Sequence, residues 1–209
     1  MVRSEYDYWL LDLDGTLVDV EWPYIRETFD RVGDRLGREF DDSEAETLWY
    51  GIGGDRDAEI ARQGLDRMEF WDAFDAVERV DERVEATTLY EDAAFLADLQ
   101  CPTGIVTHSH PELAGPVLEH LDITDWFDTL VCCSDELGWK PDPRPVERAK
   151  GQLGVVNGAP GVLAGDGAND VGAAWNAGLD AIHVERLGTD RRGRTVEADY
   201  QVESFDELV

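Results

Sequence analysis

Four places in the sequence gather residue types that can do chemistry. Asp12-Leu13-Asp14-Gly15-Thr16 sets two carboxylates around a turn, and Thr107-His108-Ser109 offers two hydroxyls and an imidazole. Trp139-Lys140-Pro141-Asp142-Pro143 carries an ammonium, and Gly165-Asp166-Gly167-Ala168-Asn169-Asp170 frames two more carboxylates with glycine. Clustered carboxylates repel, and each pKa rises unless a cation offsets the charge. A hard divalent ion is the natural solution, because Mg2+ takes one or two carboxylates plus water and substrate phosphate oxygens. With a phosphoryl group bound beside the ion, one aspartate can attack phosphorus and another can protonate the leaving oxygen.

An acidic pair alone is weak grounds for this, since the chain has 18 Lys plus Arg against 47 Asp plus Glu and a net charge of −29. Chance places roughly three Asp-x-Asp pairs in such a composition. Asp55-Arg56-Asp57 is one such pair, read as a loop and given no chemistry. The Asp12 and Asp166 segments differ because each follows an apolar run and meets glycine.

Those runs imply the elements that position the residues. Tyr8 to Leu13 reads as a buried parallel strand entering a tight turn. Between Asp19 and Glu85 no strand-like run occurs, and apolar residues recur at helical spacing. Trp22, Ile25, Phe29, Val32 and Leu36 mark one helix, Ile60 a second, and Phe70, Phe74, Val77 and Val80 a third, with Ser43 as N-cap of a short helix through Trp49. The turn-rich GIGGDRD, Gly51 to Asp57, splits this block. From Ala86 onward helix and strand alternate: helices at 91–99, 112–121, 143–153 and 169–177, strands at 104–107, 129–132, 161–164 and 180–184, then a last strand and helix in RTVEADYQVESFDEL. Such alternation predicts an α/β fold with a doubly wound parallel sheet. Residues 19–85 are then an inserted helical domain, and residues 1–18 with 86–209 the sheet domain. Ligands of open parallel sheets bind beyond the carboxyl ends of the strands, where Asp12, Thr107 and Asp166 stand.

Composition excludes several partners. Nucleic acid and anionic membranes need clustered positive charge, which a net −29 denies. A 43% hydrophobic content with 7 Trp, 6 Tyr and 7 Phe rules out disorder. Only Lys140 and Lys150 are lysines. An acid-rich, lysine-poor surface suits concentrated salt, where the Debye length falls to about 3 Å at 1 M. Three cysteines, two of them adjacent, argue against a disulfide framework and for a reducing, cytoplasmic setting. The first apolar run, Tyr8 to Leu11, is too short for a signal peptide or a membrane span.

In order along the chain, Asp12-x-Asp14-Gly15-Thr16-Leu17, Ile105-Val106-Thr107, Lys140-Pro141-x-Pro143 and Gly165-Asp166-Gly167-x-x-Asp170 resemble the four motifs of the haloacid dehalogenase superfamily. The insertion after the first motif is similar to that family's small helical cap over a Rossmann-like core. The resemblance implies that Asp12 is the nucleophile, that Asp14 is the acid and base, and that Thr107 and Lys140 hold the phosphoryl oxygens. It further implies that Asp12, the Asp14 backbone carbonyl, Asp166 and Asp170 bind Mg2+. Lys140 stands out because the chain otherwise uses arginine, and a compact charge suits that position. Asp170 also reads as a helix N-terminal acid, and Asp142 as an N-cap before Pro143.

His108 and the cap residue Arg56 are candidate substrate contacts, with a loop cap and an ion pair to Asp55 or Asp57 as their plainer readings. His110 reads as the start of the next helix. Trp22, Trp49, Trp71, Trp126 and Trp175 read as core. Dehalogenation is disfavoured by the acid at Asp14, and Schiff-base phosphonate hydrolysis by the lack of any lysine before Lys140. A phosphatase of small phosphorylated metabolites, phosphoglycolate-phosphatase-like, is therefore the expectation, as a monomer or homodimer. A β-phosphoglucomutase-type sugar phosphomutase and a non-catalytic binding module are the alternatives.

Overall fold

The computed structural model describes residues 5–52, 56–156, 158–193 and 195–208. Its first strand, β1 (Tyr8–Leu11), is buried at every position, as a parallel strand covered on both faces must be. Tyr8 and Leu10 join the core on one face, Trp9 and Leu11 the core on the other, following the two-residue period of a strand. β1 lies inside a six-stranded parallel sheet. On one side stand β4 (Thr103–Thr107) and then β5 (Thr129–Cys132); on the other stand β6 (Gly161–Gly165), β7 (Asp180–Val184) and β8 (Tyr200–Val202). Helix α6 (Pro111–His120) packs on the Trp9 face, and α7 (Arg144–Leu153) and α8 (Ala168–Asn176) on the Tyr8 face. Strand order runs outward from β1 to β4 and β5 on one side and from β6 to β8 on the other, so a crevice opens beyond its carboxyl end where the order reverses.

A third core gathers around Phe29, Phe40 and Phe70 from helices α1 (Trp22–Leu36), α2 (Asp42–Tyr50), α3 (Arg56–Arg62) and α4 (Arg67–Val77). A short helix, α5 (Val80–Glu85), returns the chain toward the sheet. Strands β2 (Val18–Val20) and β3 (Thr87–Leu89) pair antiparallel where the block begins and ends. Periodicity marks no strand between 19 and 85, because three residues are too few for alternation to register.

Other local expectations shift as well. Asp41, not Ser43, caps α2: its side chain accepts from Glu44 N, and the Glu44 side chain accepts from Asp41 N, a closed capping box. The Phe70 to Val80 periodicity divides, α4 ending at Val77 and Val80 opening α5. Glu91–Asp98 is 3-10 rather than α-helical, and the final helix is a 3-10 turn at Phe205–Leu208. Pro143 takes the cap position of α7, while Asp142 accepts from Arg144 N at 2.9 Å. Trp175 is exposed and donates to Asp199, since it lies on the outer side of α8. Gly53, Gly54 and Asp55 lie outside the described residues, whereas Arg56 and Asp57 open α3 rather than continue a loop. Cys101, Cys132 and Cys133 are free thiols. Among the described residues no helix is long and apolar enough to cross a membrane.

Candidate active site

At the carboxyl end of β1 the chain turns sharply: the Leu13 carbonyl accepts from Leu17 N and Val18 N, and Gly15 adopts φ 77°. A Cβ on Gly15 would lie 2.8 Å from Asp166 Oδ2. Only glycine both takes this backbone shape without strain and leaves room for the facing carboxylate. Asp12 N donates to Ala164 O at 2.8 Å, which ties the segment to β6 and to the loop carrying Asp166.

Lys140 is the centre of the charge arrangement, 4% exposed. Its Nζ lies 2.5 Å from Asp12 Oδ1, 2.6 Å from Asp170 Oδ1 and 2.8 Å from the Val106 carbonyl. Asp12 and Asp170 are themselves buried, and one carboxylate oxygen from each of Asp12, Asp166 and Asp170 falls within 4.8 Å of the others. Burial pushes Asp12 up to about 8, Lys140 opposes the rise, and Asp170 and Asp166 add to it. Burial likewise raises Asp166 to about 7, with Asp170 adding to it and Arg192, Arg56 and Lys140 opposing it. Burial alone would lower the Lys140 ammonium, but Asp12 and Asp170 outweigh it and hold it well above its usual value. Two buried carboxylates, Asp12 and Asp170, thus share one buried ammonium, with the half-buried Asp166 beside them. An all-oxygen donor set with surplus negative charge fits a hard divalent cation. Asp170 serves two purposes: Oδ2 accepts from Gly167 N at 3.0 Å at the start of α8, while Oδ1 faces Lys140.

A polar layer that no sequence motif marks lies beneath Asp166. The Asp166 carbonyl accepts from Arg192 Nη2 at 2.9 Å, and His183 Nε2 lies 3.0 Å from the same oxygen. Arg192 Nε in turn reaches Glu185 at 2.8 and 3.1 Å. These groups fix the loop that presents Asp166. His183 comes from β7, Glu185 from the residue after it and Arg192 from the short helix Thr189–Arg192, and nothing in their spacing marks them.

Asp14 stands differently. One of its carboxylate oxygens accepts from Arg83 of α5, the other from the Ser109 hydroxyl, so both are held. Thr107 is buried at the end of β4, and its Oγ1 accepts from Ser109 N at 3.0 Å. His108 packs edge-on against Trp139, with ring centroids 5.5 Å apart. Burial, then Lys140 and Arg56, push its imidazole down to about 2, so it is neutral, and its Nε2 has no hydrogen-bond partner among the described residues. His110 caps α6 by accepting from Glu112 N. Arg56 donates to the Leu48 and Trp49 carbonyls at 2.9 and 2.7 Å, and its charge reaches His108 and Asp166. Asp57 pairs with Arg67 and Trp71. Lys150 is peripheral, 2.8 Å from Glu147. Asp12, Lys140, Asp166 and Asp170 therefore meet directly, Asp14 is held from two sides beside them, and His108 and Arg56 stand further out.

Comparison with known proteins bears on the family and the fold. The description of a haloacid dehalogenase-like hydrolase matches residues 6–178. A pyrophosphatase, PpaX, of Bacillus velezensis is 30% identical over 210 residues, covering 96% of this chain and 93% of the relative. A phosphoglycolate phosphatase of Chromobacterium violaceum is 31% identical over 215 residues, covering 94% and 92%. The fold is shared with a haloacid dehalogenase-like hydrolase of Streptococcus pneumoniae, SP0104, with a TM-score of 0.78 at 18% identity over 98% of this chain and 97% of the other.

Proposed function

This chain belongs to the haloacid dehalogenase-like hydrolases, and on that premise we propose that it is a Mg2+-dependent phosphatase of small phosphorylated metabolites, working through an aspartyl phosphate. The observation that carries the reading is Lys140 Nζ bridging Asp12 and Asp170 in a buried cluster with Asp166. Asp12 is the nucleophile: its carboxylate oxygen forms a bond to phosphorus as the ester P–O bond breaks. Asp14 gives its proton to the departing oxygen. Water then attacks phosphorus, Asp14 takes a proton from it, and the bond between phosphorus and the Asp12 oxygen breaks to release inorganic phosphate. Lys140 places a compact positive charge against Asp12 and a phosphoryl oxygen, and the Thr107 hydroxyl donates to another. Asp12, Asp166, Asp170 and the Asp14 carbonyl would hold Mg2+, which when bound supplies the positive charge the carboxylates lack and polarises the phosphoryl group.

Residues 19–85 act in this reading as a cap over a core of residues 1–18 and 86–209, and Arg56 and His108 face the leaving group. Relatives described as phosphoglycolate phosphatases support a small carboxylated ester such as phosphoglycolate as substrate. The free thiols fit a reducing cytoplasm and the acidic composition a salty one. The test is a panel of phosphorylated metabolites plus an aryl phosphate, assayed in molar KCl with Mg2+. Turnover by the wild type and its loss in Asp12→Asn are expected. Full turnover by Asp12→Asn, or none by the wild type, would refute the reading, and phosphate exchange between sugar positions would mark a mutase instead.

A further inference from the structure

Arg83 is a residue that no motif singles out, yet its side chain is 97% removed from solvent and ends on the catalytic carboxylate. Resting on the phosphatase reading, the geometry points to Arg83 as a positioning residue for Asp14, one that makes the aim of the acid and base depend on docking of the helical block. The two oxygens of Asp14 are held from different parts of the molecule. Arg83 Nη2, at the end of α5, donates to Oδ1; Ser109, in the loop between β4 and α6, donates to Oδ2. Ser109 is itself fixed through its backbone N–H to Thr107 Oγ1. Withdrawal of the block would remove one of the two restraints and leave the carboxylate free to rotate about its remaining partner.

Arg83 is placed with little freedom of its own. Nη1 donates to Thr87 Oγ1 at 3.2 Å, and Thr87 Oγ1 donates back to the Arg83 carbonyl at 2.7 Å. The guanidinium lies 5.1 Å from the Trp49 ring and 6.0 Å from Tyr24, and Nε is 3.7 Å from Glu78. A planar fork packed between rings and fastened at Nη1 presents Nη2 in one direction, which an ammonium on a flexible stem cannot do. Burying an arginine this completely is unfavourable unless its partners are well placed. Most of the other arginines in the helical block make exposed surface pairs, such as Arg26 with Asp30 and Arg79 with Glu82.

A mere staple between block and sheet would give the same contacts, so the test must separate aim from stability. An alkyl phosphate needs a proton on its leaving oxygen, whereas dinitrophenolate departs without one. kcat/KM for the two esters is compared in wild type, Arg83→Met, Arg83→Lys and Ser109→Ala, in molar KCl with Mg2+, with melting curves alongside. Misplacement of a catalytic group by about 1 Å lowers rates about 100-fold. Arg83→Met is therefore expected to lose about 100-fold on the alkyl ester and only a few-fold on the aryl ester. Arg83→Lys should recover part of that loss, and Ser109→Ala should show a smaller loss in the same direction. Equal losses on both esters in a folded variant would make Arg83 a staple and overturn the proposal. If Arg83→Met does not fold, the same comparison in Arg83→Lys and Ser109→Ala decides. A wild type inactive on both esters would bring down the phosphatase reading first, before any variant is measured.

Discussion

Glu78 gives the sharpest physical prediction, because one substitution isolates one titration. Burial pushes this carboxyl up from 4.5 to about 7, Arg83 opposes the rise, and Asp14 and Asp75 add to it. At about 1.36 kcal/mol per pH unit, the folded protein bears about 3 kcal/mol of penalty once Glu78 is fully ionised. The sign follows from proton binding. Between pH 4.5 and about 7 the native state holds a proton that the unfolded chain has released, so the stability contributed by protonated Glu78 is present below 4.5 and lost as pH rises through 7. Glu78→Gln removes this dependence and leaves the other groups in place. Urea unfolding followed by tryptophan fluorescence in molar KCl, for both proteins at about pH 5 and pH 8, measures it. The stability of Glu78→Gln relative to wild type should rise by about 2 kcal/mol between those values. A difference that stays constant across them would refute the burial argument for Glu78.

Three further outcomes follow from the same structure. Lys140→Met leaves Asp12 and Asp170 without their buried partner; it should cost about 3–5 kcal/mol in urea unfolding without divalent ions and abolish turnover, and a loss below about 1 kcal/mol would contradict the ion-pair geometry. Saturating Mg2+, at about 100 times its Kd, should stabilise the wild type by about 2.7 kcal/mol and leave Asp166→Asn almost unchanged, as read from melting with and without chelator; equal shifts in both would move the metal elsewhere. With a net charge of −29 the melting temperature should climb from dilute buffer to molar KCl, and a fall would remove the case for salt adaptation.

The parts of the site legible in the sequence are those where backbone and chemistry leave the same mark. Asp12 ends a fully buried strand and Gly15 must bend the chain past Asp166, so the apolar run, the acids and the glycine occur together. Lys140 stood out because the chain uses so few lysines. Arg83 and the Arg192–Glu185–His183 layer could not be read this way. They act through contacts made only after folding, Arg83 being 69 residues from Asp14 and Arg192 26 from Asp166. In a composition rich in arginine and acid, their types carry no signal. The paired strands β2 and β3 were missed for a related reason: their 3 residues each are defined by the partner across the gap, not by local pattern.

Turnover by the proposed route requires Asp12 to become phosphorylated. The most direct measurement is acid quench during turnover of an aryl phosphate, followed by peptide mapping of the protein by mass spectrometry. A phosphoryl group on the peptide carrying Asp12 is expected, more abundant in Asp14→Asn, where water is no longer activated, and absent from Asp12→Asn. A wild type that turns over substrate while the label sits on another residue, or on none in Asp14→Asn, would contradict it.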